Sequence, residues 1–443
     1  MLDKKIAIIG AGPSGLGAAQ ALREKGYTNI TVFEKSACAG GLSLSRQYVT
    51  PDQRTLTYDL GSVQPVTSKI LKRLFRSHGL QFGRGPLEKK TKVIYAYSYI
   101  HNTEFANFVK YALGAPVKYL PLILADLAKL GFYLWRYRRL AQPGFHGFKY
   151  IEETSVDIRT WVDARKFKFL GEKLVPFIVS ALTLNSKSRE SQVGMYMVFK
   201  ALYLLTRFPN RYIDGSYRPV RQGFQELWKR LAKNFDFAYN ADITSITRDG
   251  SGVTVTTAAG QARFDALIVS CTFDKVAHLF EASAAEGEVF KNFYFNPGYR
   301  GAFIAKNGPI DSVHWYPDSY TTGEAPPYLT FAIPEGQVEG SAYLYSCMFS
   351  ACPTGREAVP SLQASAEKMF REQYGAEITE WVAMKYWPDY GCVYDIAMVK
   401  AGVFDKIEAL QGSNHTYYTG QLLSLNGHAN AVEYSYGLVD RFF

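Results

Sequence analysis

Short apolar runs alternate with amphipathic stretches along this 443-residue chain. Lys5-Ile6-Ala7-Ile8-Ile9 is a brief apolar run of the kind that a parallel strand buried on both faces requires. It passes directly into Gly10-Ala11-Gly12-Pro13-Ser14-Gly15, and a helical pattern follows from Leu16 to Glu24. Gly26 closes that helix, and Ile30-Thr31-Val32-Phe33 predicts a second parallel strand ending at Glu34. Gln222 to Leu227 opens a further helix ending near Lys233. The runs Ala241 to Thr247, Val253 to Thr257, Ala262 to Phe264 and Ala266 to Ser270 then predict successive strands. Tyr328 to Ile333 and Ala342 to Phe349 are also strand-like. Thr416 to Thr419 predicts a short strand before Gly420, and a helix is expected from about Ala431 toward Phe443.

The stretch from about 86 to 214 has a different character and reads as helical. Its segment Tyr119 to Trp135 is apolar apart from Asp126 and Lys129, and Arg136, Arg138 and Arg139 follow it. Such a helix either lies in a membrane interface or packs as a lid on the protein body. Tyr196, Phe199, Tyr203 and Phe208 are candidate lining residues for an apolar pocket; three of them approximate helical spacing, which core packing explains equally well.

The first thirty-five residues carry the clearest chemistry. G-x-G-x-x-G stands here between a strand and a helix, the context in which it binds a dinucleotide. Gly10 permits the turn, Gly12 lets backbone approach a pyrophosphate, and Gly15 lets helix and strand pack closely. Pro13 and Ser14 begin the helix whose free N–H groups receive the phosphates. Glu34 lies 22 residues beyond Gly12, where a carboxylate accepts hydrogen bonds from ribose hydroxyls. No second G-x-G-x-x-G follows, which argues against an NAD domain of the disulfide-reductase type.

Composition narrows the class. The chain has 31 Tyr and 29 Phe, rings that serve equally as core and as walls for an apolar ligand. Its formal charge is +10, but the basic residues are dispersed without a nucleic-acid-binding pattern; an anionic substrate, an anionic lipid surface or a generally basic surface with no partner fits the excess equally. The five cysteines, at 38, 271, 347, 352 and 392, form no CxxC pair, and the seven histidines show no metal-ligand spacing. Cys347 and Cys352 are expected to be buried thiols. No apolar leader precedes Ile6 and no uncharged apolar run reaches 18 residues, so a cytoplasmic protein without a spanning helix is expected.

Beyond Glu34 the chain reads Lys35-Ser36-Ala37-Cys38-Ala39-Gly40-Gly41-Leu42. With the glycine triplet, this resembles the amine-oxidase and phytoene-desaturase branch of the glutathione-reductase-like flavoproteins. The resemblance implies FAD, with Gly40 and Gly41 near its pyrophosphate and Gly61-Ser62 among its contacts. Ile243 would then touch the adenine, Gly420-Gln421 the ribityl phosphate region, and Ala431-Val432 would open a helix aimed at the flavin. Two positions depart from that pattern: Leu42 replaces a usual Arg or Lys, and Gln421 a usual acid.

The implied architecture is α/β, a Rossmann-like FAD-binding domain assembled from about 1–85, 215–275 and 401–443. A helical lid, 86–214, and an α+β substrate domain, 276–400, are inserted into it. Tyr58 to Gly61, Gly223 to Leu227 and the stretch from Gln421 to Phe443 further resemble the bacterial polyunsaturated fatty acid double-bond isomerases. That family relocates double bonds by hydride transfer to and from flavin N5, so no protein nucleophile or metal is expected. It holds the substrate carboxylate with a basic residue, matched here by Lys89 or Lys90. Three functions follow as expectations: isomerisation or dehydrogenation of a lipid, oxidation of an amine or other small donor by oxygen, or a non-catalytic flavoprotein.

Overall fold

The computed structural model describes residues 2–61, 68–83, 91–95, 103–104, 120–168, 194–206, 216–217, 219–316, 329–349, 355–425 and 427–443. At its centre lies a five-stranded sheet in the order Thr416–Tyr418, Ala266–Val269, Ile6–Ile9, Ile30–Glu34, Asp236–Tyr239, and every neighbouring pair is parallel. The middle strand is buried at all four residues, which explains its unbroken apolar run. Register brings Ile9 beside both Phe33 and Val269, and Val269 beside Tyr418. The carboxyl ends of strands far apart in sequence therefore share one edge.

The helices Pro13–Glu24 and His428–Phe442 pack together over this sheet. Gly17 makes the contact close, because a Cβ there would lie 3.3 Å from Val432 Cα. The last helix begins at His428, three residues before its expected start, since Gly427 with φ 137° supplies the break in the chain. The expected hairpins appear as a three-stranded antiparallel sheet of Ile243–Asp249, Gly252–Thr257 and Gly260–Phe264.

A second sheet of eight strands includes Glu377–Trp387, Gly298–Lys306, Ala342–Phe349, Leu329–Glu339 and Ser312–Trp315 in that spatial order. Its continuation departs from expectation. Thr91–Tyr95, within the stretch read as helical, pairs in parallel with Ser312–Trp315, and Thr103–Glu104 pairs with Thr91–Tyr95 in turn. Thr91, Val93 and Ile94 are β-branched and favour extension over helix. The two inserted stretches therefore share one sheet.

Among its other described residues the first insertion is mainly helical. Leu120–Arg136 buries Ile123 and Asp126 and packs Tyr133 edge-on against Trp161 at 4.8 Å. Its outer face leaves Leu124, Leu127, Phe132 and Trp135 between 44 and 60% exposed. No helix among the described residues is long and apolar enough to cross a membrane.

Candidate active site

A cavity of about 780 Å³ opens at the shared carboxyl edge of the parallel sheet, where ligands bind in open α/β folds. One end is backbone. Gly12 caps the first helix without a side-chain hydrogen bond, and that helix has no acidic residue in its first turn. Its positive end therefore faces the cavity uncompensated, as an anion requires. Gly15 is forced by geometry, because a Cβ there would stand 2.0 Å from Gly10 O.

Glu34 is held in place on both oxygens. Oε2 accepts from the Ala11 N–H at 2.8 Å and Oε1 from the Ser36 N–H at 2.8 Å. A carboxylate oxygen accepts more than one hydrogen bond, so both retain capacity for a sugar hydroxyl. The glycine loop beyond it is clamped by Gln225, whose Nε2 donates to Ala39 O at 3.0 Å. Asp59 braces the same region, accepting from Ser45 Oγ at 2.5 Å and the Phe224 N–H at 3.2 Å.

Aromatic and apolar side chains also line the cavity, among them Leu42, Trp387, Tyr390, Leu422 and Leu423. Trp387 is fixed by its Nε1–H, which donates to Leu60 O at 2.7 Å. His428, at the start of the last helix, is buried; its Nε2 lies 2.9 Å from Ser43 Oγ, which also accepts from Trp228 Nε1 at 3.0 Å. Burial lowers the His428 pKa to about 4 against a smaller opposing pull from Asp59, so the ring is neutral. Its Nδ1 has no hydrogen-bond partner. Cys271 also lines the cavity, and burial raises its thiol to about 12, so it is protonated and not a nucleophile at neutral pH.

Of the residues singled out from sequence, Gly10, Gly12, Pro13, Ser14, Glu34, Lys35, Gly41, Leu42, Ile243, Gly420, Gln421 and Ala431 line this cavity. Gly15, Gly40, Gly61 and Val432 stand behind its surface, where close packing leaves no room for more: a Cβ on Gly61 would be 2.1 Å from Leu42 O. Tyr196, Phe199 and Tyr203 lie elsewhere. They are buried in the helical layer, with Phe199 against Tyr137 at 4.8 Å and Tyr196 against Phe145 at 5.1 Å, and none lines the cavity. Ser62, Lys89, Lys90 and Phe208 fall outside the described residues. Trp387, Tyr390 and His428 were not singled out from sequence; the one signal for the first two is the aromatic run Tyr386-Trp387-Pro388-Asp389-Tyr390-Gly391 where a strand ends.

These residues fit FAD: an uncapped helix end and a glycine cradle for the pyrophosphate, an anchored carboxylate for the ribose, and aromatic side chains in the same cavity wall. Residues 13–394 match the family of flavin containing amine oxidoreductases, and the chain belongs to that family. It is accordingly an FAD-dependent enzyme of the oxidoreductase type. Among solved structures it is similar to a CLA-producing fatty acid isomerase from P. acnes, with a TM-score of 0.80 at 20% identity, covering 100% of this chain and 99% of the other. It is also similar to a cyclohexylamine oxidase from Brevibacterium oxydans, with a TM-score of 0.66 at 15% identity over 99% and 98% of the two chains. At these identities the likeness is one of fold. A polyenoic fatty acid isomerase of Ptilota filicina is 24% identical over 278 residues. That match takes in 56% of this chain and spans about half, 52%, of the relative's length.

Proposed function

We propose that the enzyme isomerises or dehydrogenates a fatty acid or a related lipid. The observation that carries this reading is the presence of Leu42, Trp387, Tyr390, Leu422 and Leu423 in the wall of the same cavity as the nucleotide cradle. An apolar chain gains about 0.8 kcal/mol per methylene on entering such a chamber. Bound FAD supplies hydride acceptance and return at N5. The chain's own task is then to hold an activated methylene in place and keep water out. Trp387 suits this, because its anchor on Leu60 O fixes the ring. The likeness to two fatty acid isomerases supports the substrate class.

Membership of the amine oxidoreductase family supports a second reading, oxidation of an amine with oxygen as acceptor. The two separate in one experiment. The holoenzyme is mixed anaerobically with polyunsaturated fatty acids or with amines while the oxidised flavin band is followed. Product from a fatty acid without lasting bleaching supports isomerisation, and lasting bleaching by a fatty acid supports dehydrogenation. Lasting bleaching by amines alone, with peroxide formed when air is admitted, overturns the lipid reading.

The reading includes transient contact with a lipid surface through helix Leu120–Arg136. Its exposed Leu124, Leu127, Phe132 and Trp135 sit beside the exposed Arg138, whose guanidinium lies 4.8 Å from the Trp135 ring centroid. An apolar face edged by cations suits the boundary of an anionic bilayer.

A further inference from the structure

Arg300 lies in the strand Gly298–Lys306 and is 3% exposed. Its Nη2 donates to Tyr390 Oη at 3.3 Å, its Nε has no partner, and among the described residues no carboxylate forms an ion pair with it. The guanidinium otherwise lies against rings, 4.7 Å from the Phe331 centroid and 5.9 Å from that of Tyr390.

Two other buried cations show how this protein normally meets the cost. Arg248 lies against both oxygens of the buried Glu286, at 2.5 and 3.0 Å. Lys200 donates to the carbonyls of Gln142 and Gly144, and burial lowers its pKa to about 7, so it can discharge. A guanidinium cannot discharge. Leaving one buried without a counter-ion costs several kcal/mol.

The position of Arg300 indicates where the missing charge arrives. Tyr390 lines the cavity. It packs in one apolar cluster with Phe331 and Met348, against which Leu42 and Trp387 of the cavity wall are also seated. Strand register places Arg300 opposite Met348, and Met348 opposite Phe331. The cation is thus set behind the part of the cavity wall that Tyr390, Leu42 and Trp387 form.

We propose that Arg300, with Tyr390, is the anion-binding position of this cavity, and that its ligand is the carboxylate of the substrate. Tyr390 Oη accepts from Arg300 and is free to donate its own proton to the anion, while the guanidinium offers its remaining N–H groups. This rests on the lipid reading for the identity of the anion, but not for the need for one.

The test measures equilibrium binding to the holoenzyme, by calorimetry and by flavin absorbance, of an unsaturated fatty acid, its methyl ester and benzoate. It compares the native chain with Arg300→Met, Arg300→Lys, Tyr390→Phe and the double variant Lys89→Ala/Lys90→Ala. The native protein is expected to bind the acid at least tenfold more tightly than the ester. Arg300→Met should weaken the acid by about 30-fold or more and leave the ester unchanged, with Arg300→Lys intermediate. Without ligand, Arg300→Met should melt at or above the native temperature, because it relieves an uncompensated charge.

Loss of acid preference in the double lysine variant, with Arg300→Met behaving as native, overturns the proposal. So does an Arg300→Met holoenzyme that melts well below native, which assigns the arginine to structure. If Arg300→Met does not fold, Arg300→Lys and Tyr390→Phe decide: acid preference undiminished in both overturns it. Failure of acid and ester alike, with benzoate bound by the native chain and lost in Arg300→Met, keeps the anion position and overturns the lipid reading alone.

Discussion

Gly41 and Gly12 face each other so closely that a Cβ on Gly41 would stand 3.0 Å from Gly12 Cα. Gly41 also has φ +56°, a conformation that costs a substituted residue about 1–2 kcal/mol. Gly41→Ala should therefore fold but retain less flavin, read as the ratio of visible to ultraviolet absorbance after purification. Gly15→Ala places its methyl against backbone that cannot yield and should purify without flavin, if at all.

Glu34 tests the sugar end of the site. Glu34→Gln keeps the shape but turns an NH2 toward either the Ala11 or the Ser36 N–H, so that one of these donors faces a donor. A lost charged hydrogen bond of this kind costs about 1–3 kcal/mol. The dissociation constant for FAD should rise by roughly tenfold or more, measured by reconstituting flavin-stripped protein, with little change in the fold by circular dichroism.

Arg248 and Glu286 form a buried pair, and Tyr418 Oη, from the edge strand of the central sheet, donates to the same carboxylate. Burial alone would raise the Glu286 pKa, but Arg248, Tyr418 and Ser283 outweigh it and bring it from 4.5 down to about 2. The stability this supplies is complete above the unfolded pKa of 4.5 and is lost as pH falls toward about 2. Arg248→Met should cost about 3–5 kcal/mol, and chemical denaturation should show Glu286→Gln removing part of the acid-side slope.

Lys200 acts at the other end of the pH scale. Burial lowers its pKa from 10.5 to about 7, opposed by Glu433 and reinforced by Arg139. The unfolded chain then binds more protons than the native one between those values, so this residue makes stability rise as pH increases from about 7 to 10.5. Melting curves across that range should show the rise in the native chain and its reduction in Lys200→Met.

The exposed face of helix Leu120–Arg136 is tested with vesicles. The native protein should co-sediment with anionic vesicles more than with neutral ones, and less at high salt. Phe132→Ser/Trp135→Ser should weaken this by tenfold or more, given about 1.5–3 kcal/mol for each large apolar side chain. Equal sedimentation of variant and native protein would sink the proposed lipid contact.

Much of the nucleotide half was legible because its signals are local. The run Ile6 to Ile9, the glycine triplet and Glu34 each express a constraint acting within a few residues, and the structure places all of them at one sheet edge. The substrate half was less legible because its constraints come from distant partners. Thr91–Tyr95 joins a strand some two hundred residues away, and nothing local marks that pairing. Tyr196, Phe199 and Tyr203 were read as pocket candidates from helical spacing, yet a helix buried on every side has the same spacing. Trp387, Tyr390 and Arg300 lie on or near strand ends whose register only the sheet reveals.

The order of strands in the central sheet also sets a schedule. Ile6–Ile9 cannot be flanked on both sides until Ala266–Val269 exists, and that strand in turn waits for Thr416–Tyr418. At about 5–20 residues per second, the ribosome takes roughly 20–80 seconds to pass from the first of these strands to the last. For that interval the nascent chain displays a half-built nucleotide cradle and an open strand edge, so cofactor loading belongs to the end of synthesis, and chaperone cover to its middle.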